Sequence, residues 1–196
     1  MSGLPDILVI DTCVLISNVL RRLLLRLAGH GCFQPAWSPV IGDEWRRNAS
    51  RVWGVPIADL EVQWEALQAA FPMADQGDIA AFKEGLKRSD PKDWHVIAAA
   101  LAAQARHPGR AVAVVTRNTR DFNRSELRQR GLQLFDPDQL LLRCWESAPE
   151  LVRSQCTLIA DDALQAGREA EALDSVLRRE RLFRFNRVLD AQPVPP

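Results

Sequence analysis

The run Ile7-Leu8-Val9-Ile10, followed at once by Asp11-Thr12, constrains the fold more than any other stretch of the chain. Four apolar residues without polar alternation read as a strand buried on both faces, the mark of a parallel sheet covered by helices. Such a strand delivers Asp11 to its carboxyl end, and open α/β sheets bind ligands in the crevice beyond those ends. A carboxylate close behind an all-apolar strand is costly to desolvate without a cation or a donor. For Asp11 alone, simple capping of a helix beginning near Val14 competes on equal terms. Three later segments decide the matter, because each brings acids or amides to a helix start or a strand end.

After Asp11, Leu15, Val19, Leu20, Leu23, Leu24 and Leu27 recur at helical spacing, with Arg21, Arg22 and Arg26 on the other side. Gly29-His30-Gly31 stops that helix, and His30 reads as a C-terminal cap. Cys32 to Trp37 suits a short second strand, and Ser38-Pro39 starts a helix, Ser at the cap and Pro in the first turn. Glu44, further along this helix, can face the same crevice as Asp11. Leu60, Trp64, Leu67 and Phe71 form one helical stripe, and Ile79, Phe82 and Leu86 another.

Ser89-Asp90-Pro91-Lys92-Asp93-Trp94-His95 opens a helix rich in alanine. Asp90 before Pro91 is a cap, and Asp93 follows within the first turn. The small residues Ala98, Ala99, Ala100, Ala102 and Ala103 let this helix pack closely, which holds Asp93 at the sheet edge; His95 reads as a packing or hydrogen-bonding residue. Ala111 to Val115 is the clearest strand, apolar on both faces and therefore central. Thr116, Arg117, Asn118, Arg120 and Asp121 come directly after it, with a helix near Ser125 to Arg130 and a short strand at Leu132 to Phe135 next.

From Arg106 to Arg130 there are seven arginines against Asp121 and Glu126. With a formal net charge of +0, this local cluster is what marks a contact with phosphates. The four cysteines show no CxxC spacing, which argues against zinc and for reduced thiols. Charged residues interrupt the apolar N-terminus, so neither a signal peptide nor a membrane span is expected, and the expected location is cytoplasmic. At 196 residues, 47% of them hydrophobic, the chain suits one domain with an appendage. Asp136-Pro137-Asp138 starts another helix, and Glu150 to Leu189 is helical in pattern, with Leu151, Val152, Leu158, Ile159, Leu164, Leu173, Val176, Leu177, Leu182 and Phe183 as its buried positions.

Asp11, Glu44, Asp93 and the pair Asn118/Asp121 can thus converge on one sheet edge. A donor set of oxygens alone suits a hard cation, Mg²⁺ or Mn²⁺, and crowded carboxylates stay ionised when a cation sits among them. Such a site favours hydrolysis of phosphodiesters.

The segments "VIDTCVLISN", "SPVIGDEWRRN", "SDPKDWHVIAAAL" and "VVTRNTRDF" resemble, in order, the successive motifs of PIN-domain nucleases, and most closely those of VapC-type toxins of bacterial toxin–antitoxin pairs. The resemblance covers about residues 6 to 140. It implies a Rossmann-like α/β/α sandwich with a central parallel sheet and Mg²⁺- or Mn²⁺-dependent cleavage of RNA. By that likeness Asp11, Glu44 and Asp93 would ligate the metal. Asn118 stands where many members carry a fourth acid, and Asp121 is the nearest substitute. Thr12, Arg117, Arg120 and Arg124 are the candidates for substrate contact. The family further implies a homodimer and a cognate antitoxin protein. The expected organisation is a PIN-like nuclease domain over residues 1–147, a helical C-terminal extension over 148–190 and a disordered tail over 191–196. Two rivals remain: a non-catalytic PIN-fold module that binds RNA or protein, and a haloacid-dehalogenase-like phosphohydrolase using Asp11 and Asp161-Asp162.

Overall fold

The computed structural model describes residues 3–165, 169 and 171–191. Strand β1 (Ile7–Ile10) leads into a single turn, α1 (Thr12–Leu15), and then α2 (Asn18–Gly29). The one helix expected after Asp11 is therefore two. Ser17 breaks it by capping α2, its hydroxyl accepting from the Leu20 amide at 3.1 Å. The second strand, β2 (Gln34–Ala36), is shorter than the run Cys32 to Trp37, and α3 (Pro39–Trp53) starts from Ser38 as the sequence requires. Helix α4 (Ile57–Ala70) buries Leu60 and Trp64, while Leu67 and Phe71 are only partly covered.

No α-helix forms through Ile79, Phe82 and Leu86; the segment holds only a 3₁₀ turn, Ala80–Lys83. Gly85, at φ +76°, turns the chain away, and Asp78 takes the Ala80 amide with its side chain at 2.9 Å. Ile79 and Leu86 are buried nonetheless. A second 3₁₀ turn, Pro91–Asp93, runs into α5 (Trp94–Arg106). The core then closes with β3 (Val112–Val115), α6 (Arg124–Gln129) and β4 (Gln133–Phe135), and α7 (Pro137–Ser147) follows.

All pairings in the sheet are parallel, in the order β2-β1-β3-β4. Every residue of β1 and β3 is buried, so helices cover both faces, giving the α/β/α sandwich. From β1 the chain steps outward to β2, and from β3 it steps outward the other way to β4. Right-handed crossovers then carry the connections after β1 and β3 to opposite faces. The gap between the carboxyl ends of β1 and β3 is thus the topological switch point, where this architecture leaves a crevice.

A wall of tryptophans stands behind β2. Trp37 lies 5.3 Å from Trp64, which lies 5.6 Å from Trp45, and Trp53 meets Trp45 edge-on at 5.8 Å. Gly42 lets α3 approach α4: a Cβ there would come within 2.5 Å of the Trp64 ring.

Beyond residue 147, α8 (Pro149–Gln165) packs on α2 and α7, and α10 (Phe183–Ala191) packs on α7 and on α9 (Leu173–Arg179). Asp162 accepts from Arg22 and Arg26, which ties α8 to α2. Phe183 departs from expectation. It is 53% exposed, and Phe185 takes the interior place against Trp145. The side chain of Leu164 and the Pro-rich end, residues 192–196, for which disorder was expected, lie outside the described residues.

Candidate active site

Asp11 sits at the switch point. Its amide donates to Val115 O at 3.1 Å, which extends the β1–β3 ladder by one bond and fixes the side chain above it. The carboxylate is 5% exposed, and its helix-capping role is absent: it makes no cap bond to α1. Instead Oδ2 accepts from the Thr116 hydroxyl at 2.6 Å and the Cys13 thiol at 3.1 Å, while Oδ1 takes no hydrogen bond from the described residues. Burial, and then the charge of Asp11, push the Cys13 thiol up to about 12, so it serves as a donor and not as a nucleophile.

Glu44 projects from α3 into the same crevice. Its Oε2 accepts from the Thr12 hydroxyl at 3.1 Å and lies 2.9 Å from His95 Nε2 on α5. The Glu44–His95 contact is a short ion pair in which the ring N–H lies off the line of a straight hydrogen bond. His95 Nδ1 lies 2.8 Å from Lys92 O, a carbonyl that only accepts, so Nδ1 carries a proton. A lone pair on Nε2 would face a carboxylate, which favours the imidazolium. Burial pulls the His95 pKa down, but Glu44 and Asp11 more than reverse this and raise it. Contact with His95 is the main cause holding Glu44 below its usual value, against its own burial. Thr12, a candidate for substrate contact, has given its hydroxyl to Glu44.

The other side of the crevice has no such balance. One carboxylate oxygen each from Asp90, Asp93 and Asp121 lies within 4.8 Å of the others. The Asp90 amide donates to Asp121 O at 2.8 Å, stapling the turn before α5 to the loop after β3. Asp93 is pushed up to about 6, first by burial, then by the charges of Asp11 and Asp121. Asn118, exposed, donates its side-chain amide to Asp121. Of the two candidates after β3, Asp121 therefore joins the acids and Asn118 holds it in place.

These residues fit a hard divalent cation. The donors are all oxygens, they crowd one another, and no lysine or arginine is ion-paired with Asp90, Asp93 or Asp121 among the described residues. Sequence reasoning missed Asp90 as a site member because it accounted for that residue as a cap. It is indeed one, accepting from the Lys92 amide at 3.0 Å. The signal was its spacing of three from Asp93, which puts both on one side of a 3₁₀ turn. Glu126, counted only as one of two acids among the seven arginines, was missed as well. It is buried and accepts from the amides of Lys87, Arg88 and Ser89 and from the Ser89 hydroxyl, so it holds the chain that bears Asp90 and Asp93.

The arginines divide. Arg117 is paired with Glu180 beyond α9, while Arg106 and Arg110 donate to backbone carbonyls of Asp75 and Asp6. Arg120 and Arg124 are exposed and have no ion-pair partner among the described residues. Asp161 and Asp162, invoked by the phosphohydrolase reading, lie on α8, with Asp162 held by Arg22 and Arg26.

A doubly covered parallel sheet with carboxylates gathered at its switch point is an α/β fold of the nuclease type. Residues 7–120, more than half of the chain, match the PIN domain family, and the chain belongs to it. Proteins of this family are generally nucleases. No curated protein and no solved structure matches the chain. No helix of the described residues is long and apolar enough to cross a membrane.

Proposed function

We propose that this chain is a Mg²⁺- or Mn²⁺-dependent endoribonuclease, the cytoplasmic toxin of a type II toxin–antitoxin pair, acting as a homodimer and restrained by a cognate antitoxin. The observation that carries the reading is the group of Asp90, Asp93 and Asp121, with one oxygen of each within 4.8 Å of the others and none ion-paired with a lysine or arginine among the described residues; burial and the neighbouring acids push Asp93 up to about 6. Asp11, Asp93, Asp121 and Asp90 would hold the metal, with Glu44 at the margin through its oxygen not facing His95. A divalent ion there would supply Lewis acidity toward the phosphate and the attacking water.

The chain's own residues supply the rest. Thr116 and Cys13 fix Asp11, and Asn118 orients Asp121. His95 holds Glu44 and brings one positive charge beside the acids. Arg120, next to Asp121 in the chain, and Arg124, at the start of α6, are exposed and can fork onto phosphate oxygens. The toxin assignment rests on the likeness of the four motifs, in their order, to those of VapC-type toxins.

A second reading, a PIN-fold module that binds without cutting, is favoured by one arrangement: Glu44 is already paired with His95, and a neutral amide, Asn118, stands where many relatives carry an acid. Cleavage assays on structured and unstructured RNA with Mg²⁺ or Mn²⁺ separate the two. The ribonuclease reading requires metal-dependent products that vanish in Asp11→Asn. Intact RNA under every metal would leave the binding module. Growth arrest on expression, relieved by the product of a neighbouring gene, tests the toxin assignment.

A further inference from the structure

Seven described residues have a left-handed backbone, and six of them are glycines. The seventh is Arg181, at φ +63°. It occupies the position just past the end of α9, within a well-formed terminating turn. The Leu182 amide donates back to Leu177 O at 2.8 Å and the Arg181 amide to Arg178 O at 2.9 Å. Leu177 and Leu182 are both fully buried, so the turn is locked by packing on either side. This is the position where helices most commonly place glycine, because any Cβ is strained there. Arginine has no backbone reason to be present.

Its side chain has a surrounding that supplies one. Arg181 lines a small cleft of about 190 Å³ with Arg117, Arg184, Asp136, Asp138 and Glu180. Arg117 follows β3 and Asp136 follows β4, so the cleft lies along the same carboxyl edge of the sheet as the acidic crevice. Two of its arginines are already engaged. Glu180 takes Arg117 and also accepts from the Ser17 hydroxyl at 2.8 Å. Asp138 accepts from Arg184 Nε at 2.9 Å and from the amides of Arg184 and Phe185 at the start of α10. Asp136 caps α7, accepting from the Gln139 amide at 2.7 Å. Arg181 alone has no ion-pair partner among the described residues.

We propose that Arg181 is a phosphate-binding residue for the RNA strand as it passes from the acidic crevice over the ends of β3 and β4. The contact rests on the ribonuclease reading and adds the C-terminal extension to its binding surface, although that extension lies outside the residues matched by the family. Arg117, expected to grip substrate directly, becomes the residue that anchors this edge through Glu180. The left-handed turn is retained at arginine because the side chain is needed where glycine would serve the fold better.

The strain makes the contact testable apart from folding. Arg181→Gly and Arg181→Asn are compared in an Asp11→Asn background, where RNA stays intact, using short single-stranded RNA with Mg²⁺ over a salt series. Arg181→Gly should melt about 2–4 °C higher, since the strained Cβ is gone. Its RNA affinity should fall about five- to tenfold near 0.1 M salt, with the log–log salt slope shallower by about one. Arg181→Asn should lose affinity alike, and titration calorimetry on the same two substitutions with Asp11 intact should give both the wild-type Mg²⁺ affinity. Unchanged RNA binding in Arg181→Gly overturns the inference, as does an equal loss of metal affinity, which would place the effect in the crevice. A background protein that shows no salt-dependent RNA binding at all removes the ribonuclease reading, and the contact with it.

Discussion

One loop, residues 87–93, serves two carboxylate environments with opposite outcomes. Its first three residues wrap Glu126, which is 5% exposed yet lies below its usual pKa. Burial alone would raise that value, and four donors from Lys87, Arg88 and Ser89 more than reverse it. Its last residues carry Asp90 and Asp93 to the crevice, where Asp93 is less buried but is pushed up to about 6, with burial and other acids as the main causes. Burial is common to both. What differs is whether the surroundings supply donors or more negative charge. A buried acid with a full set of donors is part of the scaffold. A cluster of acids without a cation is a site, and here the first positions the second.

The largest effect expected from this contrast is at Glu126. Glu126→Ala leaves the Lys87, Arg88 and Ser89 amides without their acceptor and should destabilise the protein by about 3 kcal/mol in urea unfolding. Loss of less than ~1 kcal/mol would show that the loop does not depend on this anchor, and the comparison would break.

Asp93→Asn should act in the opposite direction. Without divalent cations it removes a repulsive charge, so stability at neutral pH should rise, by about 1 kcal/mol after allowance for solvent screening of a partly exposed group. An equal loss would make Asp93 another scaffold acid. The pH dependence sharpens this. Because the folded-state pKa is raised, the folded protein keeps a proton that the unfolded chain has released. Asp93 therefore makes stability fall as pH climbs from 3.8 to about 6, and Asp93→Asn should flatten that fall.

The Glu44–His95 pair should give a smaller signal in a different window. His95 is raised, so its contribution is complete below pH 6.5 and is lost as pH rises through the higher folded value. Glu44 is lowered, so its contribution is complete above pH 4.5 and is lost as pH falls through the lower folded value. The pair is thus at full strength between 4.5 and 6.5. His95→Gln should remove the decline above 6.5 in chelator-treated protein. Chemical denaturation over pH 5–9 checks it, and an unchanged profile would detach His95 from Glu44.

The two central strands were legible because they are all-apolar runs whose ends carry polar residues, as at Ile7–Asp11 and Val112–Thr116, whereas β2 and β4 are short and each begins with a glutamine. The helices with firm caps, Ser38 for α3 and Asp136 for α7, were legible for the same local reason. Periodicity misled at Ile79–Leu86, where burial of spaced apolar residues needs no α-helix. Sequence signals brought forward Asp11, Asp93 and Asp121 beside the ends of elements, and Glu44 inside α3 on a helix whose start follows a strand end. They could not distinguish which acids would be neutralised, because the partners are remote: His95 reaches Glu44 across 51 positions, and Glu180 reaches Arg117 across 63. A positive φ at arginine likewise leaves no trace in composition or spacing.

The acids around Asp93 lack a cation that a divalent ion would provide. Calorimetric titration of the chelator-treated protein with Mg²⁺ and Mn²⁺ near pH 7, on the wild type, Asp93→Asn and Glu126→Gln, tests it most directly. Saturable binding is expected in the wild type, with proton release that grows as the titration is moved from pH 7 down toward 6, where Asp93 is partly protonated. Binding is expected to be lost in Asp93→Asn, and retained in Glu126→Gln where that variant is folded. Equal binding in wild type and Asp93→Asn, or none in either, would contradict it.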